Sequence, residues 1–278
     1  PRKNNYFLIM ESEMMVVESV ILSRGRMNIE TSSIEPQTMH EITEYVNESF
    51  NAMLFKNSSL DLLMYELNLY EFEFILFGGW VRDRILEYFS KKRIKSKDVD
   101  LVCHGTPMLI DFFHKKNFKF TENSFGGFGL ELDSQHVDIW ELEKTYLIQK
   151  YNLDRDYISL LKTTDYTMNA IAFQPGTINS KSILYDYGCI SSVLNKEIEF
   201  LANEVAFPNI QAARAVIFSA KMDFKLSETV RLFIREVCSN ENRYKLVRKG
   251  IIEYCPKKYE KKAINILLNV INNVQVSW

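Results

Sequence analysis

The chain has 278 residues, 46% of them hydrophobic, and a formal net charge of −2. This length and composition fit a globular protein of two domains, or of one elaborate domain, with a sizeable core. The near-neutral charge excludes a chain that is basic throughout, which would indicate nucleic-acid binding by the whole protein. No apolar run approaches the ~18 residues that a membrane span needs. We see no signal peptide, and we expect a cytoplasmic protein without a membrane partner.

Charge is distributed unevenly along the sequence. Residues 1–70 hold five Lys and Arg against ten Asp and Glu, whereas residues 221–278 hold twelve against six. We therefore expect any polyanion to meet the C-terminal part. The four cysteines form no C-x-x-C pair, which favours reduced thiols over a disulfide framework or a zinc site; they are Cys103, Cys189, Cys238 and Cys255.

Residues 1–70 are predicted to form a mostly helical N-terminal extension. Residues 6–22 fit either a helix or a strand. Pro36 suits a first helical turn, and the apolar spacing up to residue 55 predicts a helix. A shorter helix starts at Ser58 or Ser59, and we expect its leucines to pack against a core; they are Leu62, Leu63, Leu67 and Leu69. The extension is also a candidate module for binding a partner.

The stretch from residue 72 to residue 102 carries the strongest pattern. Residues 72–77, FEFILF, are aromatic and aliphatic enough to be a buried strand. Gly78 and Gly79 permit a sharp turn and a close approach of the backbone to a ligand. The amphipathic sequence GGWVRDRILEYF then predicts a helix, and after a basic linker KDVDLV predicts a second strand.

Asp98 and Asp100 are the first candidate site residues. They lie two apart in the predicted strand, so both side chains point to one face while Val99 and Leu101 point to the other. Two neighbouring carboxylates repel each other, and a cation that binds both relieves the repulsion. Because Mg²⁺ prefers hard oxygen ligands, the pair predicts a magnesium site.

A hairpin supplies a third candidate carboxylate. A helix at residues 108–116 and a strand at residues 118–122 precede it, and its arms are residues 130–132 and 136–140. In the second arm Val137 and Ile139 share one face, and Asp138 lies on the other with His136 and Trp140. A lone carboxylate among β-formers is unusual. Asp138 is either an exposed strand position or a site residue, and we prefer the second interpretation.

The remaining sequence is predicted to be mainly helical. Residues 141–163 have a mixed composition and are predicted to be helical. The sequence TTDYTMNAIAF and short strands at residues 183–186 and 197–201 follow them. From residue 209 the apolar period is helical, and Ser227 suits a helix N-cap. The last segment carries basic residues that form either a solvated helical face or a site for an RNA phosphate backbone: Arg243, Lys245, Arg248, Lys249, Lys257, Lys258, Lys261 and Lys262.

Four motifs follow one another between about residues 75 and 225. They are GGxVRD with DxD, at residues 78–83 and 98–100; DYTMNA, at 165–170; LYDYG, at 184–188; and RAVxFxAKxxF, which begins at Arg214. In this order and at these spacings they resemble the motifs of the class II tRNA CCA-adding enzymes and bacterial poly(A) polymerases. Those proteins belong to the polymerase β-like nucleotidyltransferases. A lone G-G or DxD is a weak signal, whereas four collinear motifs are strong.

The resemblance implies an α+β fold with three parts after the extension. A head at residues 71–185, a small mixed sheet flanked by helices, is followed by a helical neck at 186–240 and a short basic tail at 241–278. The implied activity transfers a nucleoside monophosphate from a nucleoside triphosphate (NTP) to a hydroxyl group, with two Mg²⁺ ions. The implied acceptor is an RNA 3′ end, held by the basic segment.

The resemblance also assigns roles within the head. Asp98, Asp100 and Asp138 become the catalytic and metal-binding carboxylates, with Asp138 assigned because the family places an active-site strand there. Gly78 and Gly79 offer backbone amides to the triphosphate near the N-terminus of the following helix.

Further residues are implied to bind the nucleotide. Arg82 lies in the first helical turn and is placed to neutralise phosphate charge. Asp83 is assigned to the nucleotide site with it, and a local salt bridge and cap is the alternative for the two residues. Asp165 resembles the family's ribose-contacting carboxylate. Asn169 and Arg214 belong to the same nucleotide-binding motifs.

The sequence departs from the family where the incoming base is read. Two threonines, Thr163 and Thr164, occupy the places of two arginines, and IWEL after residue 138 departs from the usual strand ending. With Arg214 aligned, the family's E-D-x-x-R template falls on Phe207, Pro208 and Gln211. These groups cannot impose the same hydrogen-bond pattern on cytosine and then adenine. We therefore do not expect CCA synthesis as the native activity.

Three functions are compatible with these observations. The first is an active, divergent nucleotidyltransferase with an RNA acceptor, and the retained carboxylates favour it. The second is a nucleotidyltransferase that modifies a protein or a small molecule in a toxin or defence setting. The third is a non-catalytic nucleotide-binding module, which the costly paired charges of a retained site disfavour.

Overall fold

The computed structural model describes residues 19–21, 34–96, 98–105, 108–123, 126–177, 180–202 and 204–272. The described residues fall into two compact units. One, which we call the sheet unit, is drawn from Ile29–Thr164 and Asn169–Val193. The other, the helical unit, is drawn from Pro1–Asn28, Asp165–Met168 and Leu194–Trp278. The expectation for residues 6–18 lies outside the described residues.

The strands and helices are numbered in chain order. The strands are β1 (Ser19–Ile21), β2 (Glu73–Phe77), β3 (Asp98–His104), β4 (Thr121–Glu122), β5 (Phe128–Leu132), β6 (Gln135–Glu141), β7 (Ile171–Gln174), β8 (Ile183–Asp186), β9 (Glu197–Ile198), β10 (Glu204–Ala206) and β11 (Lys225–Leu226). The α-helices are α1 (Pro36–Lys56), α2 (Ser58–Leu69), α3 (Gly79–Ser90), α4 (Leu109–Lys116), α5 (Tyr146–Tyr151), α6 (Tyr157–Lys162), α7 (Cys189–Asn195), α8 (Pro208–Met222), α9 (Glu228–Cys238), α10 (Glu241–Tyr254) and α11 (Lys257–Ile271).

A seven-stranded mixed sheet in the order β4-β5-β6-β3-β2-β7-β8 forms the centre of the sheet unit. Strands β3 and β6 pair in parallel, and the other neighbouring strands of this sheet pair antiparallel. The predicted small mixed sheet with flanking helices is therefore confirmed. The predicted hairpin is also confirmed, since β5 and β6 pair antiparallel with Leu132 opposite Gln135.

The sheet has two faces of different character. On one face, β3 buries Val99, Leu101 and Cys103 completely or almost completely. The other face carries Asp98 and Asp100, because side chains alternate along a strand. Farther along this second face a hydrophobic core joins the sheet to α5, α6 and the turn between β6 and α5. Its buried members are Ile75, Val102, Leu142, Ile148, Leu160, Leu161 and Ala172.

The leucines of α2 do not all pack as predicted. Leu60, Leu63, Met64 and Leu67 are buried, but Leu62 and Leu69 are 52% and 58% exposed. The buried positions repeat at spacings of three and four, which is the period of one helix face. Leu62 and Leu69 lie off that face, so the prediction that they pack against the core is wrong.

Helices α8 to α11 form the body of the helical unit. Helix α10 lies close to α8, since a Cβ atom at Gly250 would lie 3.3 Å from Cβ of Ala213. Ser227 caps α9 as predicted, with its hydroxyl accepting from the Val230 amide at 3.2 Å. The basic C-terminal segment is two helices, interrupted at Cys255 and Pro256, because proline lacks the amide that a continuous helix requires.

The helical neck and tail of the predicted α+β fold are thus present, while the exact predicted boundaries at residues 70, 185 and 240 stay predictions. Over the described ranges, we find no helix that combines the length and the apolar character needed to cross a bilayer.

Candidate active site

A row of register partners crosses the sheet and includes two of the predicted carboxylates. Asp100 on β3 lies opposite Asp138 on β6, and two residues earlier on the same strands Asp98 lies opposite His136. On its other side Asp100 pairs with Phe77 of β2. Adjacent strands are about 4.8 Å apart, so the structure brings Asp100 and Asp138 together on one sheet face.

The carboxylates differ in exposure and in their neighbours. Asp98 is exposed, Asp100 is half-buried, and the Asp138 side chain is 42% exposed. His136 Nε2 lies 3.3 Å from Asp138 Oδ1, and His136 Nδ1 lies 2.7 Å from Glu131 Oε1. The hydrogen bond to Asp138, with help from Glu131, raises the pKa of His136 to about 9 despite partial burial. His136 is therefore a cation at neutral pH.

The donor set has the chemistry of a Mg²⁺ site, since three carboxylates occupy neighbouring register positions on one face. Their side chains, as placed, do not converge. Among the described residues, no group of three or more His, Cys, Asp or Glu side chains is arranged to hold a metal ion.

The Gly78–Gly79 turn joins β2 to α3 beside this row. Gly78 has φ +64° and ψ −116°, a conformation that L side chains rarely adopt, which explains the glycine. Its amide donates to the Ile171 carbonyl at 2.9 Å, so the turn is tied to β7. Gly79 is the first helical residue, and its N–H has no acceptor within the helix.

Arg82, Asp83 and Asn169 form a network directly behind the turn. The Arg82 guanidinium donates to Asp83 Oδ1 from Nε and NH2, at 3.1 and 2.7 Å, and from NH1 to Asn169 Oδ1 at 2.5 Å. Arg82 is only 7% exposed. The Arg82–Asp83 salt bridge that the sequence left open is therefore formed, and the bond from Arg82 to Asn169 joins the first motif to the second.

Ser96 has a part in this network that no sequence pattern indicated. Its hydroxyl donates to Asp83 Oδ2 at 2.7 Å, two residues before β3 begins. Arg84 NH2 donates to the Ile94 carbonyl at 2.6 Å, and Glu87 accepts from the Ile94 amide. These bonds attach the basic linker to α3. The sequence could not predict the attachment, because a linker of mixed polar residues has no periodicity.

The residues after Asp138 that depart from the family pattern serve packing and capping. Trp140 Nε1 donates to the Thr145 hydroxyl at 3.1 Å, and its ring meets Phe77 edge-on. Glu141 accepts from the Leu109 amide at 2.8 Å, at the start of α4. These contacts account for the aromatic and acidic residues at these positions.

The helical unit holds the other two predicted nucleotide-binding residues in a network of their own. Asp165 Oδ2 accepts from Arg214 NH1 at 2.8 Å and from Gln211 Nε2 at 2.9 Å. Gln211 is 4% exposed. Tyr166 fixes the neighbouring backbone, since its hydroxyl donates to the Gln211 carbonyl at 2.7 Å and its ring stacks on Phe200.

Acidic neighbours partly neutralise the basic C-terminal segment. Lys245 pairs with Glu241 at 2.8 Å, and Lys257 pairs with Glu260 at 2.5 Å. Lys262 pairs with Asp223. Lys249 lies 3.7 Å from Glu253. On the outer surface of α10, Arg248 is exposed between Lys245 and Lys249, and a groove of about 400 Å³ runs along this helix.

This chain resembles known proteins in its structure, although the sequence comparisons find no relative. No family model matches the chain, and no curated protein matches it significantly. Solved structures do match. A CCA-adding enzyme in complex with CTP superposes with a TM-score of 0.56 and 17% identity, over 85% of this chain and 52% of that one.

Two further structures agree. The Thermotoga maritima CCA-adding enzyme complexed with tRNA has a TM-score of 0.55 and 18% identity, over 92% of this chain and 55% of that one. A tRNA-processing enzyme in an apo form has a TM-score of 0.53 and 17% identity, over 77% of this chain and 61% of that one. The chain spans between half and two thirds of the length of these proteins. The architecture expected from the four motifs is confirmed, and the chain has the fold of the CCA-adding enzymes.

Proposed function

We propose that the protein is a metal-dependent nucleotidyltransferase that moves a nucleoside monophosphate from an NTP to a hydroxyl group. The observation that carries the proposal is the register pairing of Asp100 with Asp138, with Asp98 on the same face. Carboxylate oxygens gathered on one sheet face are the ligands that Mg²⁺ prefers. The solved structures with the same fold include CCA-adding enzymes with CTP and with ATP, which supports an NTP as the donor.

The reaction exchanges one phosphorus–oxygen bond for another. The acceptor oxygen bonds to the α-phosphorus, the bond from that phosphorus to the bridging oxygen breaks, pyrophosphate leaves, and the hydroxyl proton passes to solvent. Mg²⁺, when bound, supplies charge neutralisation for the attacking and leaving oxygens. Asp98, Asp100 and Asp138 are the residues that we propose to hold it.

Each unit contains residues suited to one part of a nucleoside triphosphate. The Gly78–Gly79 turn and the N-terminus of α3 suit the triphosphate, because helix N-termini attract anions. In the helical unit, Asp165 would meet the ribose, as the family resemblance implies, with Gln211 and Arg214 orienting its carboxylate.

We propose RNA with a tRNA-like 3′ end as the acceptor. The exposed basic surface of α10, formed by Lys245, Arg248 and Lys249, would bind its phosphate backbone. One solved structure with this fold contains tRNA, which supports the assignment. Four buried cysteines without disulfides suit a reducing compartment, so we place the protein in the cytoplasm.

The product is not expected to be CCA. Gln211 replaces a base-reading arginine of the template, and its amide group is committed to Asp165 and Arg214. A site without a base template discriminates weakly between bases. We therefore expect the kcat/KM values for CTP and ATP to differ by less than about tenfold.

The test is to incubate the protein with Mg²⁺, one labelled NTP at a time, and total RNA, and then to separate RNA from protein. Label at RNA 3′ ends that disappears in Asp100→Asn supports the proposal. Label on protein, or a soluble product in its place, would replace the proposed acceptor. Nucleotide binding without turnover for all four NTPs would overturn the proposed activity.

A further inference from the structure

Arg82 and Asp83 stand where the motif suggests phosphate binding, and the structure shows which neighbours they bond to. Each nitrogen of the Arg82 guanidinium donates to Asp83 or to Asn169, and the group is nearly buried. These bonds use three of its five N–H groups, so Asp83 and Asn169 fix the orientation of the guanidinium. Losing such a partner is costly in a low-dielectric site.

The contacts continue from Asp83 toward the carboxylate strand. Asp83 uses Oδ1 for Arg82 and Oδ2 for the Ser96 hydroxyl, so one carboxylate joins α3 to the end of the basic linker. Ser96 lies only two residues before Asp98. At the other end Asn169 lies just before β7, whose Ile171 carbonyl accepts from the Gly78 amide.

These polar contacts connect Asn169, α3 and the linker as far as Ser96, two residues before β3 begins. The first residue of β3, Asp98, pairs with His136 of β6. The Ser96 hydroxyl and the two contacts of Ile94 attach the preceding linker to α3. Chemistry at a phosphorus atom tolerates little misplacement, and a shift of about 1 Å can cost ~100-fold in rate.

We propose that Asp83 and Ser96 are positioning residues, which act together with Arg82 to hold Asp98 and Asp100 in place. The consequence for catalysis rests on the proposed nucleotidyl transfer. The consequence for the structure does not, because it concerns the order of β3 with or without a substrate.

Ser96→Ala and Asp83→Asn are the test variants, and Ser90→Ala is the matched control. Ser90 is exposed at the end of α3, and its hydroxyl accepts from the Lys92 amide within the same linker. Both test substitutions nearly preserve side-chain shape, and Ser96→Ala leaves the buried Arg82–Asp83 pair intact. Three quantities are measured on the full chain: amide hydrogen exchange of β3 by mass spectrometry, the Kd for each NTP, and kcat.

The expected result has three parts. Exchange of the first β3 amides rises about tenfold or more in both test variants and stays unchanged in Ser90→Ala. The NTP Kd stays within about twofold of the original chain, whereas kcat falls by about tenfold to 100-fold.

Two outcomes overturn the positioning role. One is unchanged β3 exchange in both test variants. The other is a large rise in NTP Kd at constant kcat, which would mean that these residues contact the nucleotide. If the unsubstituted chain transfers no nucleotide, the proposed function fails, and the exchange data still decide whether the network holds β3.

Discussion

Asp100 of β3 and Asp138 of β6 are register partners in neighbouring parallel strands. They come from separate strands of the sheet, and the pairing places both carboxylates on the face that also carries Asp98. Carboxylate oxygens on neighbouring strands suit Mg²⁺, and our proposed metal site rests on this pairing.

Replacing either carboxylate should separate activity from stability. We expect Asp100→Asn and Asp138→Asn to lower kcat by at least about 100-fold, or roughly 2.7 kcal/mol of transition-state free energy. Asp138→Asn also removes the carboxylate that pairs with the His136 cation, so its urea midpoint should fall modestly, and the loss of activity should far exceed this loss of stability. Asp154→Asn, in the exposed loop between α5 and α6, is the control and should leave both quantities unchanged. Full activity in Asp138→Asn would remove it from the site.

The two glycines of the turn should respond differently to alanine. Gly78→Ala is expected to lower the free energy of unfolding by about 1–3 kcal/mol, because φ is +64° there although space for a Cβ exists. Gly79→Ala is the matched control. Gly79 is helical and its new Cβ would lie 3.8 Å from Arg82, so we expect a change of less than about 1 kcal/mol, toward greater stability. Urea denaturation measures both, and equal losses would contradict the backbone explanation.

Removing charge from α10 should weaken RNA binding in a salt-dependent way. The Arg248→Ala, Lys249→Ala double variant is expected to lower the slope of log K against log salt by about 1.4, if both side chains contact phosphates of a single strand. Filter binding of a tRNA-like RNA at several salt concentrations gives the slope. The double variant Lys56→Ala, Lys119→Ala removes two exposed lysines of the sheet unit and should leave the slope unchanged. Equal slopes in all three proteins would exclude α10 as the contact.

The Asp165–Arg214 pair should show a modest coupling energy. The side chains are 30% and 31% exposed, so we expect a coupling of about 1 kcal/mol in a double-mutant cycle with Asp165→Asn and Arg214→Gln. The free energies come from urea denaturation. Since solvent reaches the pair, the coupling should shrink at about 1 M salt. A coupling that is zero at low salt would show that the pair has no role in stability.

The cysteine thiols should be unreactive in the folded protein. All four are buried; burial raises the pKa of each, that of Cys238 to about 11, and for Cys103 the charge of Glu141 adds to the effect. Since the thiolate is the reactive form, a thiol reagent at pH 8 should label the native chain slowly and four thiols per chain in denaturant. Ser58→Cys, on the exposed start of α2, is the positive control and should react at once. Rapid native labelling of any original cysteine would contradict the burial.

Many elements of both units were predictable, because local patterns specify them. The strand–Gly-Gly–helix–strand order, the hairpin and the N-cap at Ser227 follow from periodicity, glycine geometry and capping chemistry, which act over a few residues. The expectation that Leu62 and Leu69 pack against the core was wrong, because it also relied on local periodicity alone. Period alone does not say which of several overlapping apolar stripes of a helix finds a partner, and in α2 the stripe through Leu60 and Leu67 does.

The sequence by itself determined that Asp98 and Asp100 share a face, since alternation along a strand is a property of the backbone. Only the tertiary structure decided that Asp138 lies beside Asp100, that Arg82 bonds to Asn169 from 87 residues away, and that Ser96 is attached to Asp83. The physical reason is that strand order, register and buried hydrogen bonds depend on how distant segments pack, and one segment's sequence does not contain its partner.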